Sequence, residues 1–415
     1  MTGEPRSADE VHFVRALDRF DVLDYSPHFP GYPLAVLLAR SSLLPGGYAY
    51  QALSVVGTLV AALIVASVLT PRARVPAFAV TASAPYLVGQ SLAIGSDAIF
   101  LPFLAASLAL CFRNAPRPFL GGLILGLALG VRPSAFTWCA LLAGATNRRR
   151  ACLGFGVGVA SWILPFIALA GSDVLLAEGS RFLAGHFSRW GAPLLAAVAP
   201  NAASWPELVV RHWLLEPISG DGNLSGWQYS YTPILLVLLT LAGARATREL
   251  PARLRCALVV SGGATICWLL AAQNPVHARH VLPPALLALP LAGAEIARGL
   301  PRTLALIGLL LLLTLATHAS LRTRAQGLAM RNTWQQLASQ PKLDFGTHRV
   351  YADEEFAYLR YREPHWPLAA AASSEAARID AQGLPIVPRK IWVTSGVDGT
   401  PTGAVRLLSE SDRDD

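Results

Sequence analysis

The sequence predicts an all-α polytopic membrane protein with about ten membrane segments and a small C-terminal soluble α/β appendage. Three observations carry this expectation. Only 14% of the 415 residues are charged and 53% are hydrophobic, against roughly 25% charged in a soluble domain. Charge-free stretches then recur along the chain, at Tyr48–Leu69, Ala77–Ser96, Ala151–Ser172, Gly222–Ala244 and Cys256–Val276. Each reaches the length of about 18 or more apolar residues that can cross a bilayer. After residue 320 the composition changes sharply, with Asp344, Asp353, Glu354, Glu355, Arg360, Arg362 and Glu363 crowded into a short stretch. A transmembrane β-barrel is excluded because its strands alternate polar and apolar residues over about ten positions.

The organisation follows in order. Residues 1–47 form a first extracytoplasmic segment, 48–320 a multi-helix transmembrane domain with a large outer loop at 171–228, and 321–415 a soluble extracytoplasmic domain. Within 48–320 the apolar runs fall at 48–69, 77–95, 98–112, 119–131, 134–145, 151–170, 229–244, 256–272, 281–297 and 303–320. The fourth and fifth are too short for full spans at about 1.5 Å per residue and read as tilted, half-buried or re-entrant. The run Gly121, Gly122, Gly126, Gly130 predicts close helix packing. In the tail, His348–Tyr351 and Lys390–Thr394 read as strands, and Ser409–Asp415 as a polar, unstructured end.

The formal net charge is +8, with lysine only at Lys342 and Lys390 among the 34 basic residues. A nucleic-acid partner is rejected, because the arginines cluster in short loops between apolar runs. Thirteen fall in one set of loops, at Arg72, Arg74, Arg113, Arg117, Arg148, Arg149, Arg150, Arg245, Arg248, Arg253, Arg255, Arg298 and Arg302; the opposite short loops hold Arg132 and Arg279 alone. By the positive-inside rule the first set is cytoplasmic, and the opposite loops lie outside the cytoplasm. Residues 1–47 then lie outside although no apolar segment precedes them; a first helix upstream of Met1, or a translocated short tail, is expected. The five cysteines all sit in or beside apolar segments and read as small buried hydrophobes.

Residues 1–47 are the richest in motif. Ser7-Ala8-Asp9-Glu10 has the form of a capping box, with Ser7 as N-cap and Glu10 three residues on. Val11, Val14, Leu17 and Phe20 follow at helical spacing, predicting an amphipathic helix on the membrane surface. The turn Ser26-Pro27-His28-Phe29-Pro30-Gly31-Tyr32-Pro33-Leu34 ends it. Further along lie Gly95-Ser96-Asp97, the segment Gly126-Leu127-Ala128-Leu129-Gly130-Val131-Arg132-Pro133, the run Gly185-His186-Phe187 with Trp190-Gly191, and His277, Arg279, His280 and Pro283 opening a late helix. In this order and on one face, these motifs resemble the GT-C superfamily of integral membrane glycosyltransferases, most closely the bacterial branch related to protein O-mannosyltransferases.

The resemblance implies transfer of a sugar from a polyprenyl-phosphate donor to an acceptor hydroxyl of a glycan, lipid or protein outside the cytoplasm, with inversion. Such a reaction needs a base for the hydroxyl and cations for the leaving phosphate. Asp9 is the candidate base and Glu10 its alternate. The plainer reading makes both first-turn acids that stabilise a helix start. The candidate substrate contacts are His28, Asp97, Arg132, His186, Arg189, His277, Arg279 and His280. Each has a structural alternative: a backbone-bonded His28, an N-capping Asp97, a snorkelling Arg132, and membrane-lipid headgroup anchoring by the cluster of His277, Arg279 and His280. Trp190, like Trp205, Trp213, Trp227 and Tyr229, is also expected at any interface.

No cofactor is assigned. There is no HExxH, no Walker loop and no GxGxxG before a helix, though Asp9, Glu10 and Asp97 with water offer oxygen ligands for a divalent cation. The competing classes are a non-catalytic transporter or lipid-binding scaffold, and an inactive glycosyltransferase relative. A transporter should carry inverted repeats and midplane binding residues. Here the polar candidates gather at one face.

Overall fold

The computed structural model describes residues 1–113, 115–187, 205–216, 245, 247–248, 250–273, 278–299, 302–339, 348–352, 356–363, 365–366, 368–370, 390–397 and 400–408. The chain forms two compact units. One comprises Met1–His28, Leu43–Ala49 and Leu321–Asp415; the other comprises Phe29–Ser42 and Tyr50–Ser320.

The first unit is built around helix α1 (Ala8–Asp18). The Ser7 hydroxyl caps it, accepting from the Glu10 backbone N–H at 3.4 Å. The Glu10 carboxylate turns back and accepts from the Arg6 backbone N–H at 2.7 Å and from Arg6 Nε at 3.0 Å, so two donors at the helix start are satisfied. The apolar stripe of α1 is covered by protein: Val11 packs in one core with Met330, Leu337, Val350, Tyr358, Leu359 and Leu368, and Phe13 and Val14 are buried too. That corrects the expectation of a helix lying on the membrane surface. Periodicity marks an apolar face but not what covers it.

The same unit holds a four-stranded sheet in the order β2-β1-β3-β4, from β1 (His348–Ala352), β2 (Leu368–Ala370), β3 (Lys390–Val397) and β4 (Thr400–Leu408). Strand β1 runs parallel to β2 and β3, and β3 and β4 form an antiparallel pair. The short helix Phe356–Arg362 lies in the β1–β2 connection, as a parallel pair requires a crossover. The N-terminal segment is tied to this helix by Glu4, whose carboxylate accepts from Tyr358 Oη and Arg362 Nη2, each at 2.8 Å. The Arg362 guanidinium lies 5.2 Å from the centre of the Trp334 ring.

The second unit is helical. It contains α2 (Pro33–Ser41), most of α3 (Gly47–Val68), α4 (Pro71–Ala82), α5 (Pro85–Ser91), α6 (Leu101–Phe112), α7 (Pro118–Val131), α8 (Ala140–Gly144), α9 (Arg148–Ala170) and α10 (Ser172–Gly185). Further helices follow at Ala252–Ala272 and Leu282–Gly299, and the long Arg302–Ala338 helix begins in this unit. Among the described residues three helices are long and apolar enough to cross a bilayer: α3, α9 and Ala252–Ala272. The second apolar run is broken into α4 and α5 before Pro85, and the fifth becomes a 3-10 turn (Pro133–Trp138) followed by the five-residue α8. The seventh run, 229–244, lies outside the described residues.

The tightest packing joins α7 to α9. A Cβ placed on Gly122 would lie 1.8 Å from the Ala151 carbonyl oxygen, and one on Gly126 would lie 2.4 Å from that of Phe155. The approach is reciprocal: Gly154 and Gly158 of α9 sit against the carbonyls of Phe119 and Leu123 at 2.0 and 2.2 Å by the same measure. Only hydrogen fits at these four positions. In lipid, where apolar burial gives little drive for helix association, such close backbone contact supplies it. Trp162 Nε1 donates to the Gly126 carbonyl at 3.0 Å across the same seam.

Candidate functional site

In the second unit the chain gathers its polar side chains where helices end. Helix α7 stops at Val131 because Pro133 cannot continue it, and the residue before a proline is driven to extended backbone. Arg132 accordingly adopts φ −152°, ψ 114° and leaves the helix at its C-terminal end, where the macrodipole favours a cation. Its guanidinium meets the turn between α5 and α6. Nη2 lies 2.7 Å from Asp97 Oδ1, and Nη1 donates to Ser96 Oγ at 3.2 Å. Nη2 also contacts His280 Nδ1 at 3.2 Å, from the 3-10 turn Ala278–Val281 that precedes the Leu282–Gly299 helix.

Arg132, Asp97 and Ser96 are all buried. An ion pair so placed carries a desolvation cost that the hydrogen bonds offset only in part. Asp97 pairs with Arg132 and fixes its guanidinium. Arg279, half-buried beside His280, adds a second cation. The charges of Glu216, Asp97, Arg132 and Arg279 all act on the fully buried Tyr86 hydroxyl of α5. Glu216 is itself paired with His212 Nδ1 at 2.9 Å, at the end of the π-helix Val209–Leu215, which packs against the Ala278–Val281 turn.

Asp97, Arg132, Arg279 and His280, read one by one from sequence, thus come together. Tyr86, Ser96, His212 and Glu216 were not among the expected site residues. The His212–Glu216 spacing of four was a usable signal. His186 lies at the end of α10, where Nε2 bonds the Ala272 carbonyl and its ring stacks on Phe182 at 6.1 Å. It thereby satisfies one of the last carbonyls of the Ala252–Ala272 helix. Arg189 and His277 lie outside the described residues.

The first unit holds the remaining candidates. Asp9 Oδ1 lies 3.8 Å from His28 Nδ1, with the Asp9 side chain 39% and the His28 side chain 17% exposed. His28 meets the Phe13 ring edge-on at 6.2 Å. Burial holds His12, one helical turn from Asp9, below its ordinary pKa, while the Asp9 charge pulls the other way. Glu10 differs from its neighbour, being 7% exposed and held by Arg6. Among the described residues no group of three or more His, Cys, Asp or Glu is placed to hold a metal ion.

No protein-family model matches the chain, and no curated protein matches it by sequence. Solved structures do match by shape. ArnT from Cupriavidus metallidurans in the apo state aligns with a TM-score of 0.55 at 12% identity, covering 93% of this chain and 88% of that one. The same protein bound to undecaprenyl phosphate aligns with a TM-score of 0.55 at 11% identity, covering 95% and 90%. This chain shares the fold of ArnT. The likeness runs over nearly the whole length of both chains, so it takes in both compact units. The helices α3, α9 and Ala252–Ala272 are long and apolar enough to cross a bilayer, and the chain is a membrane protein. At 11–12% identity it is the path of the backbone that is shared.

Proposed function

We propose that the protein is a membrane glycosyltransferase that moves a sugar from a polyprenyl-phosphate-linked donor to the hydroxyl of a glycan, lipid or protein acceptor. The observation that carries this reading is the buried Arg132–Asp97–His280 network within a GT-C fold. In the proposed step the acceptor oxygen attacks the anomeric carbon as the carbon–oxygen bond to the carrier phosphate breaks, inverting that centre. The hydroxyl proton goes to a carboxylate, and the departing phosphate keeps the bonding electrons. Arg132 and Arg279 supply fixed positive charge to that phosphate, and a preorganised cation in a water-poor site is the strongest electrostatic aid available. Asp97 orients Arg132. The base falls to Asp9 through the resemblance of its motif; its exposed carboxylate supports the choice, whereas Glu10 is occupied by Arg6. No metal is required in this scheme.

The finer points belong to the same proposal: about ten membrane segments, a bacterial inner membrane, the Asp97 turn on the extracytoplasmic side, and a place in the branch related to protein O-mannosyltransferases. Their support is the thirteen-to-two arginine asymmetry and the order of motifs between Asp9 and Pro283. The orientation is tested in a cysteine-free background in intact cells. A cysteine at Leu43, 92% exposed, should react with an impermeant maleimide, and one at Arg149 should not; the opposite pattern would place the chemistry on the other face.

The function is tested by release of polyprenyl phosphate from a polyprenyl-phosphate-linked sugar by purified protein. Arg132→Gln removes a charge-assisted contact of roughly 1.5–3 kcal/mol, so transfer should fall about ten- to hundredfold. Arg132→Lys keeps the charge without the planar fork and should recover part of that loss. Wild-type transfer by both variants would remove Arg132 from the site, and no turnover of any such donor by the native protein would remove the function.

A further inference from the structure

A second feature lies at the other end of the helical unit. The Ala252–Ala272 helix is about 30 Å long at 1.5 Å per residue. Its C-terminal end leads toward the His280 turn, while its N-terminal end meets α8 and the start of α9 around a half-open cavity of about 710 Å³. That volume falls in the range of small-molecule sites, about 300–1,000 Å³. The cavity has two kinds of wall. Arg148 and Arg149 from α9 and Arg253 from the facing helix supply three positive charges, and among the described residues no acidic one lines it. Ala143, Ala257 and Val260 supply an apolar wall beside them. The floor is closed because α8 lies tight on its neighbour: a Cβ on Gly144 would stand 2.9 Å from that of Ala257.

The pairing of walls is what a lipid presents in reverse, an anionic phosphate joined to a hydrocarbon chain. A scattered positive-inside charge would repel cations and orient helices, but it would need no concavity and no convergence of arginines from two helices separated by about a hundred residues. A free phosphate would use the arginines and leave the apolar wall wet. The geometry points to this cavity as a binding site for the phosphate headgroup of an anionic phospholipid, with an acyl chain along Ala257 and Val260. It is separate from the Arg132 network and does not depend on the catalytic reading.

Cys256 lines the cavity and is exposed, which gives a readout independent of activity. In the full-length protein with Cys111, Cys139, Cys152 and Cys267 replaced by serine or alanine, the rate of maleimide modification at Cys256 is measured in nanodiscs. One set contains phosphatidylcholine alone, and the other phosphatidylcholine with phosphatidylglycerol at 7:3. The anionic lipid should slow modification at least about fivefold, the factor that one basic residue near an anionic surface contributes. The triple variant Arg148→Gln, Arg149→Gln, Arg253→Gln should abolish the difference, and the double variant Arg72→Gln, Arg74→Gln should keep it. Equal rates in the two nanodiscs would show that no anionic lipid occupies the cavity, and equal loss of protection in the double variant would show a diffuse surface charge; either overturns the site. Protection in detergent by inorganic phosphate alone would make it a soluble-anion site and overturn the lipid.

Discussion

Asp9 and Glu10 are adjacent carboxylates in the first turn of one helix, and the structure predicts opposite fates for their amides. Asp9 lies 3.8 Å from His28 and its side chain is 39% exposed. Replacing it by Asn removes a first-turn charge worth about 0.3–1 kcal/mol to the helix, so folding should hardly change. If Asp9 is the base, transfer should drop about 10²–10⁴-fold. Glu10→Gln reverses the pattern. Its carboxylate holds the Arg6 backbone N–H and guanidinium together with little exposure, and hydrogen bonds to a charged group contribute roughly 1.5–3 kcal/mol. The unfolding midpoint should fall by several degrees, while transfer per folded molecule stays within about threefold, the scatter expected of single-contact effects. Ser7→Ala is the control that weakens the cap and leaves both acids, costing about 1 kcal/mol. The assay is sugar transfer normalised to the folded fraction, alongside a thermal unfolding scan. Near-native transfer by Asp9→Asn, or a Glu10→Gln variant that is fully folded and inactive, would refute the division of labour.

Two further outcomes are expected from packing and titration. Gly158→Ala should disrupt the α7–α9 seam, because its Cβ would stand 2.2 Å from a backbone carbonyl, whereas Gly156→Ala two residues away meets nothing within 4 Å and should be neutral or slightly stabilising; size-exclusion profiles and melting midpoints that are alike for both would contradict the seam. His12 is held below its ordinary value of 6.5 by burial, so the unfolded chain takes up the proton first and stability rises with pH across that interval. The contribution is complete above about pH 6.5 and fades as pH falls through the folded value. The full chain should therefore lose stability between pH 7.5 and 5 more steeply than His12→Gln does, and parallel denaturation curves would deny it.

What the sequence made legible differs between elements for physical reasons. The charge-free runs located α3, α9 and the Ala252–Ala272 helix, because apolar length is a local property. The glycines of α7 announced a close neighbour, but not that Gly154 and Gly158 of α9 would answer them, since the pairing depends on which helix lies alongside. Asp97, Arg132 and His280 could each be singled out as rare polar residues. That Arg132 meets both, 35 and 148 positions away in sequence, follows from where helices end in space. Strand β2 was missed because Leu368–Ala370 is three helix-compatible residues that a parallel neighbour organises.

The contact between Arg132 and His280 fixes a matter of proton bookkeeping. A guanidinium can only donate, so the imidazole nitrogen facing it at 3.2 Å must offer a lone pair. That pairing uses the tautomer of His280 with its hydrogen on Nε2. The arginine thus decides which edge of the imidazole accepts. Chemical polarity at one ring is in this way set by a side chain that arrives from the end of a different helix.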